Sequence, residues 1–526
     1  MVARTVTALT RILDIVSIIQ GDQRVQTVFT TDPTNTAIFR AGLDRFLVKL
    51  GVEVLPWEQA TATRFDLAIA ASENDRLDAI DAPILLVPHG LGYQKYYPNS
   101  RIVAGMNPDR LLREGRVLPT VIALSHRDQH TQLAAICPPA SAHAVVIGDP
   151  SLDRLLAGRH RVHGYRAALD AAGKTLVVVS STWGPHSLFG RFPRLPEELA
   201  GALPVDEYRV VVVLHPGVWS AHGQWQIRAW LGRAAELGLH VVPPTDNWQA
   251  VLCAAHCVVG DEGSFALYAA ALDKPILLAA GTGANTVPGS PLALLAERAT
   301  VLGPGADLAD QIAAAISTHQ PDAWAPAVRK AVQWPGRSAR MLRPLLYELL
   351  DLAEPATEAV FAPAEVPTPT NHQVPTLVVG AREDGHILAL QRFPRSHGDR
   401  RPEPFDHRHL VADLDRASYR ELSSASILRI GGDADGPELF STEADAMLAQ
   451  WPNAELIATR AGRAELLVRT RHELLSVRAP QPPPGFDPML LASAAFVRHA
   501  QGRGLVGVDK LRVGARVIAM VSAAVG

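Results

Sequence analysis

Apolar and polar positions over the first 155 residues fall into two alternating kinds of run. Short, nearly continuous apolar runs (RTVTAL, RVQTVFT, VEVLPW, FDLAIAA, APILLVPHG, TVIALSH and AHAVVIGDP) read as strands. Between some of them lie stretches such as TAIFRAGLDRFLVKLG, whose apolar residues recur at three- and four-residue spacing and predict helices. Strands apolar on both faces, alternating with helices, imply a parallel sheet covered on both sides. The pattern restarts near residue 174, with KTLVVVSSTW, EYRVVVVLHPG, GLHVVPP, CVVGD and KPILLAA as strands. QWQIRAWLGRAAELG, NWQAVLCAAH and SFALYAAALD are the helices between them, and the helical SARMLRPLLYELLDLAE closes this unit near Glu354.

The expected fold is therefore α/β, with two Rossmann-like doubly wound halves, residues 1–155 and 156–353, facing a cleft. Ligands of such sheets bind at the carboxyl ends of the strands, so both rims should line that cleft. Residues 354–374, rich in Pro, Ala and Thr, read as an extended linker. Beyond them an α+β domain, residues 375–526, is expected. TLVVGAREDGHILALQRF reads as a hairpin about Asp384-Gly385, and AELIATRAGRAELLVRTRHELLSVRA as another. FDPMLLASAAFVRHAQ is a helix with Asp487 as N-cap and Pro488 at its first position.

Length and charge narrow the possibilities. A chain of 526 residues exceeds one hydrophobic core, and a net charge of -3 leaves no electrostatic footprint for nucleic acid or an anionic membrane. Cys137, Cys253 and Cys257 make no disulfide framework and no complete metal site, so they read as buried thiols in a cytoplasmic protein. Arg4, Arg11 and Asp14 interrupt the apolar N-terminus, so this stretch is not expected to be a secretory signal. No apolar run reaches the roughly 18 residues a membrane span needs. Gly173-Lys174-Thr175 precedes a strand and has Ala168 where a P-loop needs Gly, so it is a decoy.

The chemistry-bearing residues collect at strand ends: His89-Gly90, Gly148-Asp149-Pro150 with Asp153 just after, Ser181-Thr182-Trp183, His215-Pro216-Gly217 and Gly263-Ser264. A Gly-Ser turn opening a helix offers exposed N–H groups and the positive end of the helix dipole to an anion such as phosphate. A strand-terminal His serves as a general base, a phosphate ligand or a turn cap. Asp261 and Glu262 beside that turn would repel a phosphate unless they face a sugar hydroxyl or a cationic side chain; Glu262 reads as a donor-sugar contact or a base, with a structural cap as the alternative. In WGPHSLFGRFPRLP, His186, Arg191 and Arg194 form either an anion clamp or a solvated loop. Trp225 and Trp230 are expected in the core, and Trp219 and His222 nearer the cleft. In HGDRRPEPFDHRHL, His397, His407 and His409 lack a correctly spaced third ligand, so a polar loop is expected rather than a metal site. DADG, Asp433 to Gly436, reads as a turn.

The order of these motifs resembles the GT-B fold of nucleotide-sugar glycosyltransferases and the related UDP-N-acetylglucosamine 2-epimerases. In local motif the CDP-glycerol glycerophosphotransferase group is nearest. LLVPHGLGYQK resembles that group's Trp-His-Gly-Thr-Pro-Leu-Lys strand end, and IGDPSLDRL its interdomain Gly-x-Pro-x-x-Asp segment. VVVSSTWGP, VVLHPG and DEGSFALYAAALDKPIL resemble its Pro-Thr-Trp, His-bearing and donor-phosphate segments. The resemblance spans about residues 1–350 and implies His89 as the base activating an acceptor hydroxyl. It implies Ser181, Thr182, His215, Gly263, Ser264 and Tyr268 on the donor side, with Gly90, Trp183, His186 and Asp261 lining the cleft. It implies a nucleotide-activated donor as substrate, an unknown acceptor, no metal and no further cofactor. Two letters depart from the pattern. Tyr268 stands where many relatives carry a ribose-gripping carboxylate, and Lys95 comes one position late. An isomerase of the 2-epimerase kind, and a non-catalytic protein that senses a nucleotide or engages a protein partner through residues 375–526, are the alternative expectations.

Overall fold

A computed structural model describes residues 1–34, 42–88, 90–97, 99–280, 285–303, 307–369, 373–395 and 405–525. Apolar runs of the first half become strands β1 (Phe29–Thr30), β2 (Val54–Leu55), β3 (Ala68–Ala70) and β4 (Ile84–Leu86). A small antiparallel pair, β5 (Leu112–Arg113) and β6 (Arg116–Val117), precedes β7 (Val121–Leu124) and β8 (Ala144–Val146). β3, β4, β7 and β8 form a parallel sheet in that order. Val2 bridges in parallel to both Thr30 and Ala70, which ties the parallel pair β1–β2 to the sheet's edge. Strands β3, β4 and β7 are buried at every residue, as their unbroken apolar sequences require.

One predicted strand is a helix. RTVTAL opens the helix Val6–Val16, N-capped by Thr5, whose hydroxyl accepts from the Ala8 N–H at 3.1 Å. Its buried residues Ala8, Leu9, Ile12, Ile15 and Val16 recur at helical spacing, a period that six residues are too few to display.

The second half carries β9 (Thr175–Ser181), β10 (Tyr208–Leu214), β11 (His240–Val242), β12 (Cys257–Gly260), β13 (Ile276–Leu278) and β14 (Thr300–Val301). All pair in parallel, in the order β11-β10-β9-β12-β13-β14. This is the doubly wound 3-2-1-4-5-6 order, and its direction reverses between β9 and β12, where such sheets open their binding crevice. The helix Ser338–Leu349, expected to close this half, returns to the first: Leu342, Leu346 and Tyr347 are buried with the Val6–Val16 helix in one core. Asp153 holds that return, accepting from the N–H groups of Gly336 and Ser338 at 2.6 Å each. The segment 354–369 has neither helix nor strand, yet it is packed; Phe361 and Ala364 are buried, and the Tyr165 hydroxyl donates to the Ala364 carbonyl at 2.6 Å.

Residues 376–524 correct the α+β expectation, because they close into a nine-stranded barrel. Its strands are β15 (Thr376–Asp384), β16 (Ile387–Pro394), β17 (His407–Asp413), β18 (Ile427–Asp433) and β19 (Leu456–Gly462). β20 (Glu465–Arg469), β21 (Leu474–Arg478), β22 (Gly507–Val513) and β23 (Arg516–Ala524) complete it. β15–β16 and β19–β20 are the two expected hairpins. The hairpin β22–β23 inserts between β16 and β21 and closes the ring. The helix Met489–Ala500 is buried along residues 489–497 and shares the barrel's core; the Asp487 carboxylate accepts from the Met489 N–H at 3.1 Å.

Three side-chain expectations also change. The long helix Pro216–Glu236 is broken at Gly223 (φ 77°, ψ 156°), which turns its second part so that Trp225 is 78% and Trp230 49% exposed instead of in the core. Trp219, expected toward the cleft, is buried in the second half's core, and His222 lies edge-on to Trp230 at 4.8 Å. His407 and His409 lie on β17 and not in a polar loop; His409 is buried against Phe496, while His397 is outside the described residues.

Candidate functional site

The switch point between β9 and β12 gathers most of the strand-end motifs. Asp261, just past β12, organises it. Its buried carboxylate accepts from the Thr182 N–H (3.0 and 2.9 Å), the Thr182 hydroxyl (2.9 Å) and the Leu188 N–H (2.7 Å). Burial raises its pKa, and the hydrogen bonds from Leu188 and Thr182 oppose that rise. Ser181 is equally committed: buried, it donates to the Thr182 carbonyl at 2.9 Å and accepts from the Phe189 N–H at 2.9 Å.

Gly263 then caps the helix Ser264–Ala271. A side chain there would collide with the Thr182 methyl, at 2.6 Å from an added Cβ, so the turn needs glycine for space. At the end of β10 the His215 ring caps the next helix, its Nδ1 accepting from the Gly217 N–H at 2.9 Å. That bond assigns the proton of the neutral ring to Nε2. Trp183 is 44% exposed, and His186, Arg191 and Arg194 are exposed, with the Arg191 guanidinium 5.5 Å above the Phe192 ring.

The first half meets this rim from the end of β4. His89 lies outside the described residues. Gly90 abuts Ser264 so closely that an added Cβ would lie 2.9 Å from its hydroxyl oxygen, and that hydroxyl donates to the Leu91 carbonyl at 3.5 Å. Lys95 crosses between the halves, its ammonium donating to the Glu262 carbonyl. Burial lowers the Lys95 pKa, while the nearby Asp261 and Glu262 carboxylates raise it. Beside it the Tyr96 N–H donates to the Asn285 carbonyl at 2.7 Å, and the Val287 N–H to the Gln94 carbonyl at 2.9 Å. The Glu262 side chain is buried and accepts from the Thr286 hydroxyl at 2.8 Å.

Tyr268 occupies a different environment from an open ribose site. It is 2% exposed, and its hydroxyl donates to Asp149 at 3.2 Å. Arg11 grips the same carboxylate at 2.6 and 3.3 Å, and also donates to Ser151 (2.6 Å) and the Pro88 carbonyl (3.0 Å). Burial works to lower the Arg11 pKa, but the Asp149 carboxylate outweighs it and the guanidinium is held charged. Burial first, then Asp149, pushes the Tyr268 phenol well above its ordinary value, so it stays a neutral donor. Ser151 donates on to Asp14, which also takes Arg154 at 2.5 Å. This chain of polar groups joins the Val6–Val16 helix, the Asp149 turn and the Ser264–Ala271 helix. In the sequence Arg11 and Asp14 were visible only as charges within an apolar N-terminus, with nothing to show their partners Asp149, Ser151 and Arg154.

Among the described residues no group of three or more His, Cys, Asp or Glu is placed to hold a metal ion, and no helix is long and apolar enough to cross a membrane. All three cysteines are buried, and burial raises Cys253 to about 11 and Cys257 to about 12.

No protein-family model and no curated protein sequence matches the chain. Solved structures do match. The wall teichoic acid polymerase TagF is similar at 11% identity over 66% of this chain and 88% of its own, with a TM-score of 0.46. A UDP-GlcNAc 2-epimerase from Neisseria meningitidis, bound to UDP-GlcNAc, is similar at 13% identity over 66% and 98%, TM-score 0.41. MnaA of S. aureus, solved with UDP, is similar at 14% identity over 68% and 98%, TM-score 0.38.

Proposed function

We propose that the chain is a GT-B-type transferase moving a glycosyl or polyol-phosphate group from a nucleotide-activated donor to an acceptor. The observation that carries this reading is the Gly263-Ser264 helix start. It sits at the sheet's switch point, flanked by Thr182 and faced by the Gly90 turn of the other half. Helix N–H groups supply donors for a departing diphosphate without a metal, His215 Nε2–H adds one from the neighbouring strand end, and the Ser264 hydroxyl would join them by leaving its 3.5 Å bond to the Leu91 carbonyl. His89, one residue before Gly90, is the proposed base for the acceptor hydroxyl. Asp261 does not serve as an acid or base in this reading, because four contacts already hold its oxygens. Proton handling of the 2-epimerase kind would therefore fall on Glu262 alone, which makes isomerisation the weaker alternative.

A second reading, a non-catalytic protein of the same fold, is favoured by one observation. The helix position that grips ribose in many relatives is Tyr268, buried against Asp149 and Arg11. A thermal-shift screen of UDP-, CDP-, GDP- and dTDP-linked donors separates the two. The transferase reading expects one nucleotide class to stabilise the wild type; at a hundredfold excess over Kd the gain is about 2.7 kcal/mol. The shift should disappear in His215→Ala. No stabilisation by any donor would leave the non-catalytic reading. Given binding, donor turnover unchanged in His89→Ala would remove the base assignment.

A further inference from the structure

The barrel contains a second set of parallel strand ends. β17, β18 and β19 pair in parallel, joined by crossovers that carry the helices Tyr419–Leu422 and Pro437–Gln450. Their carboxyl ends open onto a cavity of about 380 Å³ lined by Asp413, Asp415, Arg416, Arg429, Asp433 and Arg460, among others. The carboxyl edge of a βαβ unit is where parallel sheets place their ligands, and this volume suits a small metabolite.

The floor and the rim differ in kind. On the floor the Arg429 guanidinium is neutralised by Asp413 and also donates to Gln373. On the rim Arg416 makes no ion pair among the described residues, and Arg460 makes only a long one, 3.6 Å to Asp487. Between them the sheet is deliberately interrupted: Arg429 pairs with Ala458 and Asp433 with Arg460, so residues 430–432 bulge out of the β18–β19 ladder. Gly431 and Gly432 make up most of that bulge. Gly432 has φ +81°, which strains any other residue, and at Gly431 an added Cβ would lie 2.5 Å from the Asp415 carboxylate and push it aside. The helix Pro437–Gln450 starts shortly after, capped by Gly436 with no side-chain cap hydrogen bond.

We propose that this cavity binds a small phosphorylated polyol or sugar. Arg416 and Arg460 would hold the phosphoryl group, and Asp415 and Asp433 would accept from its hydroxyls. Two guanidiniums match a group that carries up to two charges and three acceptor oxygens. Gly431 and Gly432 of the bulge line the same cavity and bring bare backbone to it. Ionised carboxylates only accept, so they select a hydroxyl-bearing body behind the anion.

Isothermal titration of the full chain with glycerol 3-phosphate, glucose 6-phosphate, inorganic phosphate, glycerol and glutamate tests this. A phosphorylated polyol should bind saturably and more tightly than phosphate or glycerol. Arg416→Ala and Asp433→Asn, both at exposed positions, should each weaken it about tenfold, a change of about 1.4 kcal/mol. His215→Ala, in the other cleft, should leave it unchanged. The proposal is overturned if no phosphorylated compound binds, if glutamate binds in preference, if both barrel variants bind like the wild type, or if His215→Ala abolishes binding.

Discussion

At Gly263 it is the neighbour and not the backbone that forbids a side chain. Its φ of -152° is open to any residue, yet an added Cβ would press on the Thr182 methyl, and Thr182 is pinned by its hydroxyl and N–H to Asp261. Gly263→Ala should therefore cost about 1–3 kcal/mol, an overpacking penalty. Thr182→Ser keeps the hydroxyl and removes the methyl, so the double variant should recover most of the loss. Denaturant titration of the four proteins measures the coupling; equal losses in the single and double variants would exclude the steric account. The Gly-Ser turn itself was legible, because strand, turn and helix are contiguous in the chain. What Asp261 does was not. Its partners lie at Thr182 and Leu188, more than seventy residues away, and only the closed sheet brings them together. Tyr268 was legible as a departure from a pattern, but its partners Asp149 and Arg11 belong to the other half and could not be read from any window around it.

Among elements, the parallel strands of both halves were read well because their apolar runs are unbroken, and the errors occur where a window is short or a period mixed. Val6–Val16 needed eleven residues to reveal its helical face. The β22–β23 hairpin turns at Gly514-Ala515 between alternating, half-exposed strands, a weak pattern that nonetheless closes the barrel. β17 supplies a test of that closure. His409 on this strand is buried against Phe496, and neither ring nitrogen has a hydrogen-bond partner among the described residues. Burial, with His407 nearby, lowers its pKa to about 3. An unfolded His titrates near 6.5, so below that pH the unfolded chain binds a proton the folded barrel refuses. The contribution of neutral His409 is thus complete above about pH 6.5 and is lost progressively as pH falls toward 3. His409→Leu should flatten the fall in unfolding midpoint between pH 7 and pH 4. A slope identical to the wild type's would show that the ring titrates normally.

For the whole molecule the question is whether the barrel is an appendage or part of the same body, and one guanidinium decides it. Arg392, on β16, is 1% exposed; it bonds Asp206 of the second half at 2.8 and 2.5 Å and Asp487, at the head of the barrel's core helix, at 2.9 Å. Its carbonyl also accepts from the Val205 N–H at 3.0 Å. Burial opposes the charge of Asp487, but Arg392, the Met489 N–H and Arg460 together outweigh it and hold the carboxyl down at about 2. Segments of the second half and of the barrel therefore share one cation, and removing it strands Asp206 and leaves Asp487 with only the longer Arg460 pair and the Met489 N–H. Arg392→Met should destabilise by about 3–5 kcal/mol, the usual cost of breaking a buried pair from one side. The loss should fall on the joint. Scanning calorimetry is expected to resolve a separate, earlier barrel transition in Arg392→Met where the wild type melts the barrel and second half together. Adding Asp206→Asn should restore part of the lost stability, since it removes the stranded charge. A single transition at the wild-type temperature in Arg392→Met would mean that the domains are joined elsewhere, with Arg516, which donates to the Gly173 carbonyl, the next contact to remove.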